Sequence, residues 1–275
     1  MCKSSTPPLL AVEVVRTGEA CPFTNEKIAF ELRQGEVVWL RGASGAGKSF
    51  TCLHLAGLAE LPDATVHAQW SSAVPAAERV GFLFQKGVLI DSLNLAENVA
   101  LALRASGRPY PPSAIANILS EVGLSAQADG GKMPGQLSGG MLRRAALAQI
   151  LAQGKRVVVL DEPFVGLDPP VADEVGKLIR AVAARARCAF VLVSHMEERA
   201  LSLSPAQIVT LERARPEDDD CDSRPTELGR LPMPARAWAR FVDQNPNLFT
   251  LAPNLTLAPY LTLTPNPTPH PAPYP

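Results

Sequence analysis

Residues 42–49 read Gly-Ala-Ser-Gly-Ala-Gly-Lys-Ser, which is the GxxxxGK[ST] spacing of a phosphate-binding loop. An apolar run ends just before them at Leu40, and a helical pattern follows to about Leu58, so the motif has its required strand–loop–helix context. Glycines let successive backbone N–H groups turn inward around an anion, and the helix N-terminus adds partial positive charge. We expect Lys48 to bind phosphate and Ser49 to offer a hydroxyl to Mg²⁺. The predicted contacts to the bound phosphates are Gly42, Ala43, Ser44, Gly45, Ala46, Gly47, Lys48, Ser49 and Phe50.

Two adjacent carboxylates, Asp161 and Glu162, directly follow the apolar run at residues 157–160. A strand that ends in a carboxylate can deliver that group to Mg²⁺. A second carboxylate beside the metal ligand is suited to polarising a water that attacks the γ-phosphate. Many strands simply end at a solvated acidic turn, so this pair indicates a catalytic site only in combination with the phosphate loop.

Three further polar elements extend this predicted site. Gln85 follows an apolar run, where its amide could touch both metal and water. Residues 137–141, Leu-Ser-Gly-Gly-Met, open a helical pattern that runs to about Gln153 and closes at Gly154, which predicts a second anion site at a helix N-terminus. His195 follows another apolar run and could donate a hydrogen bond to the γ-phosphate.

Short apolar runs alternate with helical patterns, which predicts an α/β fold with a largely parallel sheet. Continuous apolar runs, typical of strands buried on both faces, occupy residues 37–40, 157–160 and 190–193. A helix is predicted between Pro112-Ser113 and Gly123, where apolar residues recur at helical spacing. This helix lies in the interval of about residues 88–135, between the first and second of these strands, and we expect an inserted helical subdomain there.

Composition excludes several classes of protein. The 275 residues include 26 Lys and Arg against 27 Asp and Glu, a formal charge of −1, so no nucleic-acid partner is expected. No apolar stretch approaches the roughly 18 residues that span a bilayer, and the first residues lack the apolar segment of a secretory signal. We therefore expect a cytosolic protein. The five cysteines are scattered without CxxC spacing, which indicates free thiols.

We predict a main domain at residues 1–229, a short helical extension at 230–245 and a proline-rich tail at 246–275. The tail carries nine prolines and no Asp, Glu, Lys or Arg. Because proline lacks a backbone donor and restricts the residue before it, we expect extended disorder there.

Together these motifs resemble the nucleotide-binding ATPase subunit of ABC transporters over about residues 9–212. The resemblance implies a P-loop NTPase core, the ABC ATPase fold, with a mainly parallel sheet, a small N-terminal antiparallel β part and the inserted helical subdomain. In that family the phosphate loop of one protomer and the LSGG segment of its partner close on the same ATP, so an ATP-sandwich dimer with Mg²⁺ is implied. By this resemblance Lys48 and Ser49 bind phosphate and Mg²⁺, and Gln85 and Asp161 contact the metal. Ser138, Gly139 and Gly140 form the signature, and Asp168 is the D-loop residue. Glu162 is the general base and His195 the switch histidine.

Three strings look like those of the Mla-type ATPases, and they occupy residues 84–93, 137–148 and 161–169. This similarity implies that the chain powers phospholipid trafficking between bacterial membranes. It further implies an integral membrane permease, an MCE-domain lipid-binding partner and a peripheral position on the cytoplasmic face of the inner membrane. Four alternatives stay open: a lipoprotein-releasing or other exporter ATPase, a soluble non-transport ABC ATPase, a P-loop kinase of small molecules, and a catalytically slow regulatory subunit.

Three features depart from the ABC pattern. Phe50 stands where the family usually has threonine, which predicts the loss of one hydroxyl contact to the α-phosphate. No aromatic residue lies near Val15 and Arg16 to stack on adenine, and the Arg16 guanidinium is the available substitute. The interval between Lys48 and Gln85 is short, which predicts a trimmed β-subdomain and weaker nucleotide binding.

Overall fold

The computed structural model describes residues 7–84, 89–107, 110–185 and 188–213. The predictions for Gln85, for the extension at 230–245 and for the tail at 246–275 lie outside these residues. Within them the strands are β1 (Leu10–Arg16), β2 (Lys27–Leu32), β3 (Val37–Arg41), β4 (Ala64–Trp70), β5 (Val80–Leu83), β6 (Val157–Asp161), β7 (Ala189–Val193) and β8 (Gln207–Thr210). The α-helices are α1 (Lys48–Leu55), α2 (Leu95–Ala105), α3 (Ala114–Glu121), α4 (Gly139–Ala152), α5 (Pro169–Arg185) and α6 (Glu197–Ser202).

The main sheet is parallel, with the strand order β5-β6-β7-β3-β8. The three apolar runs singled out in the sequence are its strands β3, β6 and β7, as predicted. The sheet also contains β5, which precedes the interval at 88–135 along the chain, and this interval lies between β3 and β6. Because the carboxyl ends of parallel strands lie along one edge, the segments that follow β3, β6 and β7 come together there.

Alternate side chains of the parallel strands enter two different cores. In β6, Val158 and Leu160 pack with the helices α2 to α5. Val157 and Val159 face the other way, into a core shared with β1 and β2. Burial on both faces explains why these strands appear in the sequence as unbroken apolar runs.

A small antiparallel sheet, in the order β2-β1-β4, forms the second layer. The predicted antiparallel β part is therefore present near the N-terminus. Its inward residues, among them Val12, Val14 and Phe30, complete the core on the second face of the parallel sheet.

The described part of the inserted interval carries α2 and α3. Asn94 caps α2 through a capping box with Glu97, and α3 ends before Gly123, whose φ is 69°, as its sequence signals predict. In contrast, α1 ends at Leu55, three residues before the predicted end, because Gly57 takes a left-handed conformation with φ of 70°. Among the described helices none is both long and apolar enough to cross a bilayer.

Candidate active site

The loop between β3 and α1 has a backbone that requires glycine. Gly42 and Gly47 have φ of 153° and 82°, conformations that other residues rarely adopt. A Cβ on Gly42 would also overlap the carbonyl of Leu211, and one on Gly47 would overlap the ring of Pro22. The loop is therefore enclosed on two sides by segments distant from it in sequence.

Lys48 lies at the start of α1 and folds back over this loop. Its Nζ donates hydrogen bonds to the carbonyls of Gly42 at 2.8 Å and Ala43 at 2.7 Å. Burial lowers the pKa of Lys48, and the nearby charges of Glu162 and Asp161 act in the opposite direction. The ammonium group thus lies at the centre of the loop, where a bound phosphate would meet it.

Ser49 and Asp161 form the predicted pair of metal ligands. The Ser49 hydroxyl donates to Asp161 Oδ1 at 3.1 Å across the gap between α1 and β6. Burial raises the pKa of Asp161, and the Ser49 hydrogen bond opposes that shift. In the described part of the chain no cluster of three or more His, Cys, Asp or Glu side chains forms a metal cage. Two oxygen ligands suit Mg²⁺, which usually keeps several waters and is completed by the phosphates of its substrate.

Glu162 has the strained backbone and enclosed side chain expected of a catalytic residue. Its φ is 48°, a left-handed conformation that is unfavourable for a residue with a Cβ. The backbone N–H of Glu162 donates to the carbonyl of Val193 at 2.9 Å, which holds the strained turn against β7. Oε1 lies 3.0 Å from His195 Nδ1, and Oε2 is buried without a hydrogen-bond partner among the described residues. An enclosed carboxylate oxygen without a donor is a feature that catalysis can explain.

The turn after β7 positions His195. The hydroxyl of Ser194 accepts from the N–H of Met196 at 3.1 Å, and the Ser194 carbonyl accepts from Trp39 Nε1 at 3.0 Å. Trp39 is buried in β3, so this turn is fixed to the neighbouring strand. The His195 side chain itself is 65% exposed, and one of its nitrogens reaches Glu162 while the ring stays accessible.

The LSGG segment forms the N-terminus of α4, as predicted. Ser138 is the N-cap, and its hydroxyl accepts from the N–H of Met141 at 3.3 Å. Ser138 and Gly139 are exposed, whereas Gly140 is buried against Val171 of α5. Asp168, just before α5, is also exposed. Among the described residues no hydrogen bond or ion pair joins the exposed members of this set to Lys48, Asp161 or Glu162.

The structure locates two of the departures from the ABC pattern. Phe50 is 38% exposed, and the next hydroxyl, that of Thr51, donates to the Gly47 carbonyl at 3.0 Å within α1. Arg16 donates from Nε to the carbonyl of Gly18 at 3.1 Å, so its guanidinium contacts its own turn. The sequence reasoning missed Arg143, which is buried in α4 and contacts the backbone of Glu162. The feature that could have indicated Arg143 in the sequence is a charged residue on the buried face of the helix that begins at the LSGG segment.

Comparison with known proteins places this site in a family. A sequence model described as ABC transporter matches residues 25–165. The aliphatic sulfonates import ATP-binding protein SsuB 2 of Burkholderia cenocepacia (strain HI2424) is 32% identical over 240 residues, which are 86% of this chain and 87% of that protein. The sulfate/thiosulfate import ATP-binding protein CysA of Xylella fastidiosa (strain Temecula1) is 38% identical over 184 residues, and this chain spans only 53% of its length.

Solved structures support the fold. The ATP-binding cassette MJ0796, a dimer in a post-hydrolysis state with ADP and Pi, matches with a TM-score of 0.59 at 23% identity, over 75% of this chain and 96% of that one. The ADP conformation of the cassette MJ1267 matches with a TM-score of 0.61 at 19% identity, over 75% and 88%. The phosphate loop, the two carboxylates and His195 lie together at one edge of the parallel sheet. Together with these matches, this site shows that the chain belongs to the ABC transporter family, as an ATP-binding and ATP-hydrolysing component.

Proposed function

We propose that this chain is the ATPase subunit that drives a separate membrane permease, and that two copies bind ATP between them. The observation that carries the proposal is the convergence of Lys48, the Ser49–Asp161 pair and the Glu162–His195 pair at one edge of the parallel sheet. Each group has a different task in phosphoryl transfer to water, and three neighbouring strands, β3, β6 and β7, bring them together.

The steps follow from these positions. The N–H groups of residues 42–49 and the Lys48 ammonium bind the phosphates and neutralise their charge. Ser49 and Asp161 would hold Mg²⁺, which would supply further stabilisation of the phosphate charge. The Glu162 carboxylate takes a proton from water as the water oxygen bonds to the γ-phosphorus, and the bond from that phosphorus to the bridging oxygen breaks to leave ADP. The His195 ring orients Glu162 through Nδ1 and stays accessible to the γ-phosphate.

The exposed residues Ser138, Gly139 and Asp168 are proposed to complete the nucleotide site of a second copy. The MJ0796 cassette is a dimer in its post-hydrolysis state, which supports this arrangement. Because a transporter needs a membrane-spanning part, we propose a separate permease and a peripheral position on the cytoplasmic face of the membrane. In the proposed dimer, closure on ATP and reopening after hydrolysis move the permease.

For the cargo we propose phospholipid, handled with an integral permease and an MCE-domain lipid-binding protein. Support comes from the three strings at residues 84–93, 137–148 and 161–169. A second candidate cargo is a small sulfur oxyanion, supported by the names of the sulfonate and sulfate/thiosulfate import relatives. In the proposed assembly the permease selects between these classes of cargo.

The first test measures phosphate release by the purified chain with its permease in lipid, for wild type, Glu162→Gln and the control Glu198→Gln. Glu198 is an exposed carboxylate on α6. We expect Glu162→Gln to lower kcat at least about 100-fold, the range of general-base catalysis. We expect it to form an ATP-bound dimer in size-exclusion chromatography, while Glu198→Gln keeps full activity. Equal turnover by wild type and Glu162→Gln would refute the proposed motor.

The second test separates the two cargo classes. The complex is reconstituted in phosphatidylethanolamine–phosphatidylglycerol vesicles, and transfer of labelled phospholipid and uptake of labelled ethanesulfonate are measured with ATP. ATP-dependent phospholipid transfer without sulfonate uptake supports the first candidate. Sulfonate uptake without lipid transfer would replace it with the second.

A further inference from the structure

Arg143 is a buried cation in α4 that the proposed chemistry leaves without a task. It is only 8% exposed, and burial lowers the pKa of its guanidinium. An arginine nevertheless stays protonated in proteins, so α4 carries a full positive charge away from water. A buried charge is stabilised only by strong polar partners, and those partners identify its role.

The partners of Arg143 are backbone carbonyls at two strand ends. One terminal nitrogen donates to the carbonyl of Phe84 at 3.2 Å, just after β5. The other donates to the carbonyl of Glu162, just after β6, over a longer distance of 3.5 Å. Within the described ranges no carboxylate forms an ion pair with Arg143. A planar guanidinium suits this arrangement, because its donors have fixed directions.

The position of Arg143 connects several nucleotide-binding segments. Phe84 directly precedes Gln85, and Glu162 has the left-handed backbone described above. Arg143 also lines a cavity of about 400 Å³ together with Gly139 of the signature and Gly166 before Asp168. One side chain of the signature helix therefore touches the turn of the general base and the segment that leads to Gln85.

We propose that Arg143 is a positioning residue that fixes the turn of Glu162, and the segment entering Gln85, to the signature helix. The proposal rests on the proposed hydrolytic role of Glu162. Loss of the guanidinium releases the Glu162 carbonyl from α4 and lets the strained turn relax, so the carboxylate no longer holds its place beside His195. Among the described residues no hydrogen bond joins Arg143 to the phosphate loop, so we expect its loss to leave ATP binding intact.

The test compares Arg143→Met and Arg143→Lys with the control Arg144→Met. Arg144 is the next residue on α4 and pairs with Glu174 of α5 instead. We expect Arg143→Met to lower kcat for ATP at least tenfold with KM unchanged within twofold. Arg143→Lys, which keeps the charge but has a single donor nitrogen, should restore part of kcat. Arg144→Met should change kcat less than twofold.

A second readout does not depend on turnover. Hydrogen exchange followed by mass spectrometry should show faster exchange in residues 162–165 for Arg143→Met than for wild type or Arg144→Met. Unchanged kcat and exchange in Arg143→Met, or equal losses in the Arg144→Met control, would overturn the assignment. If Arg143→Met fails to fold, Arg143→Lys decides: a kcat below that of wild type together with faster exchange in residues 162–165 supports the assignment, and wild-type kcat and exchange overturn it. A wild-type chain without ATPase activity would refute the proposed function instead, and the exchange comparison would still decide the contact.

Discussion

The contact between Gly140 and Val171 gives a prediction whose size follows from the structure. A Cβ on Gly140 would lie 2.5 Å from Val171 Cγ1, whereas carbon atoms in contact prefer about 3.5–4.0 Å. The neighbouring side chain is β-branched and has one strongly preferred rotamer in a helix, so α4 and α5 must move apart by about 1 Å. Overpacking of this kind costs about 1–3 kcal/mol, and alanine regains about 0.5–1 kcal/mol over glycine within a helix. We therefore expect Gly140→Ala to lower the free energy of unfolding by up to about 2.5 kcal/mol, with a central value of about 1 kcal/mol.

The assay is urea unfolding of wild type, Gly140→Ala, Val171→Ala and the double variant. Removing the Val171 methyl groups opens the space that the new Cβ needs. The two changes should therefore be non-additive, with the double variant at least about 1 kcal/mol more stable than the sum of the singles predicts. Additive effects, or a stabilised Gly140→Ala, would refute the steric reasoning.

Three other changes test separate parts of the structure. Gly47 has a positive φ, and a Cβ there would overlap Pro22, so Gly47→Ala should weaken binding of a fluorescent ATP analogue at least about tenfold. A Cβ on Gly131 would lie in open space, so the control variant Gly131→Ala should bind the analogue as wild type does. Asn98→Ala should destabilise the fold by about 2–4 kcal/mol in denaturant unfolding, because the fully buried amide makes four hydrogen bonds to backbone groups; a loss under about 1 kcal/mol would contradict this. The hydrogen bond from Lys132 at 2.6 Å lowers the pKa of Asp129, so the stability it contributes is present above about pH 4 and is lost as pH falls further. Asp129→Asn should therefore be less stable than wild type at pH 7 by no more than about 1 kcal/mol, and this difference should shrink as pH falls below about 4, whereas a difference that does not change with pH would argue against the carboxylate.

The sequence predicted those parts of the site whose chemistry is local. The loop that carries Lys48, the carboxylate pair and the turn of His195 each follow an apolar strand, so short-range patterns placed them at one edge of the sheet. The left-handed backbone of Glu162 and the contact from Arg143 were not predictable in this way. Both depend on tertiary neighbours. Val193 from β7 holds the Glu162 turn, and the sequence around an arginine does not indicate which backbone carbonyl its side chain will contact in the fold.

The residues that enclose the phosphate loop determine when in folding that loop can form. Pro22 lies close to Gly47, and the carbonyl of Leu211 lies close to Gly42, which is 169 residues earlier in the chain. Contacts of such long sequence separation form late in folding, because the chain loses the entropy of closing a long loop before the contact contributes any stabilising energy. The loop should therefore acquire its final shape only when the rest of the described fold is complete. Both of these residues lie beyond residues 25–165, the span of the family match. A fragment cut to that span would keep every residue of the loop motif and lose both of the segments that shape it.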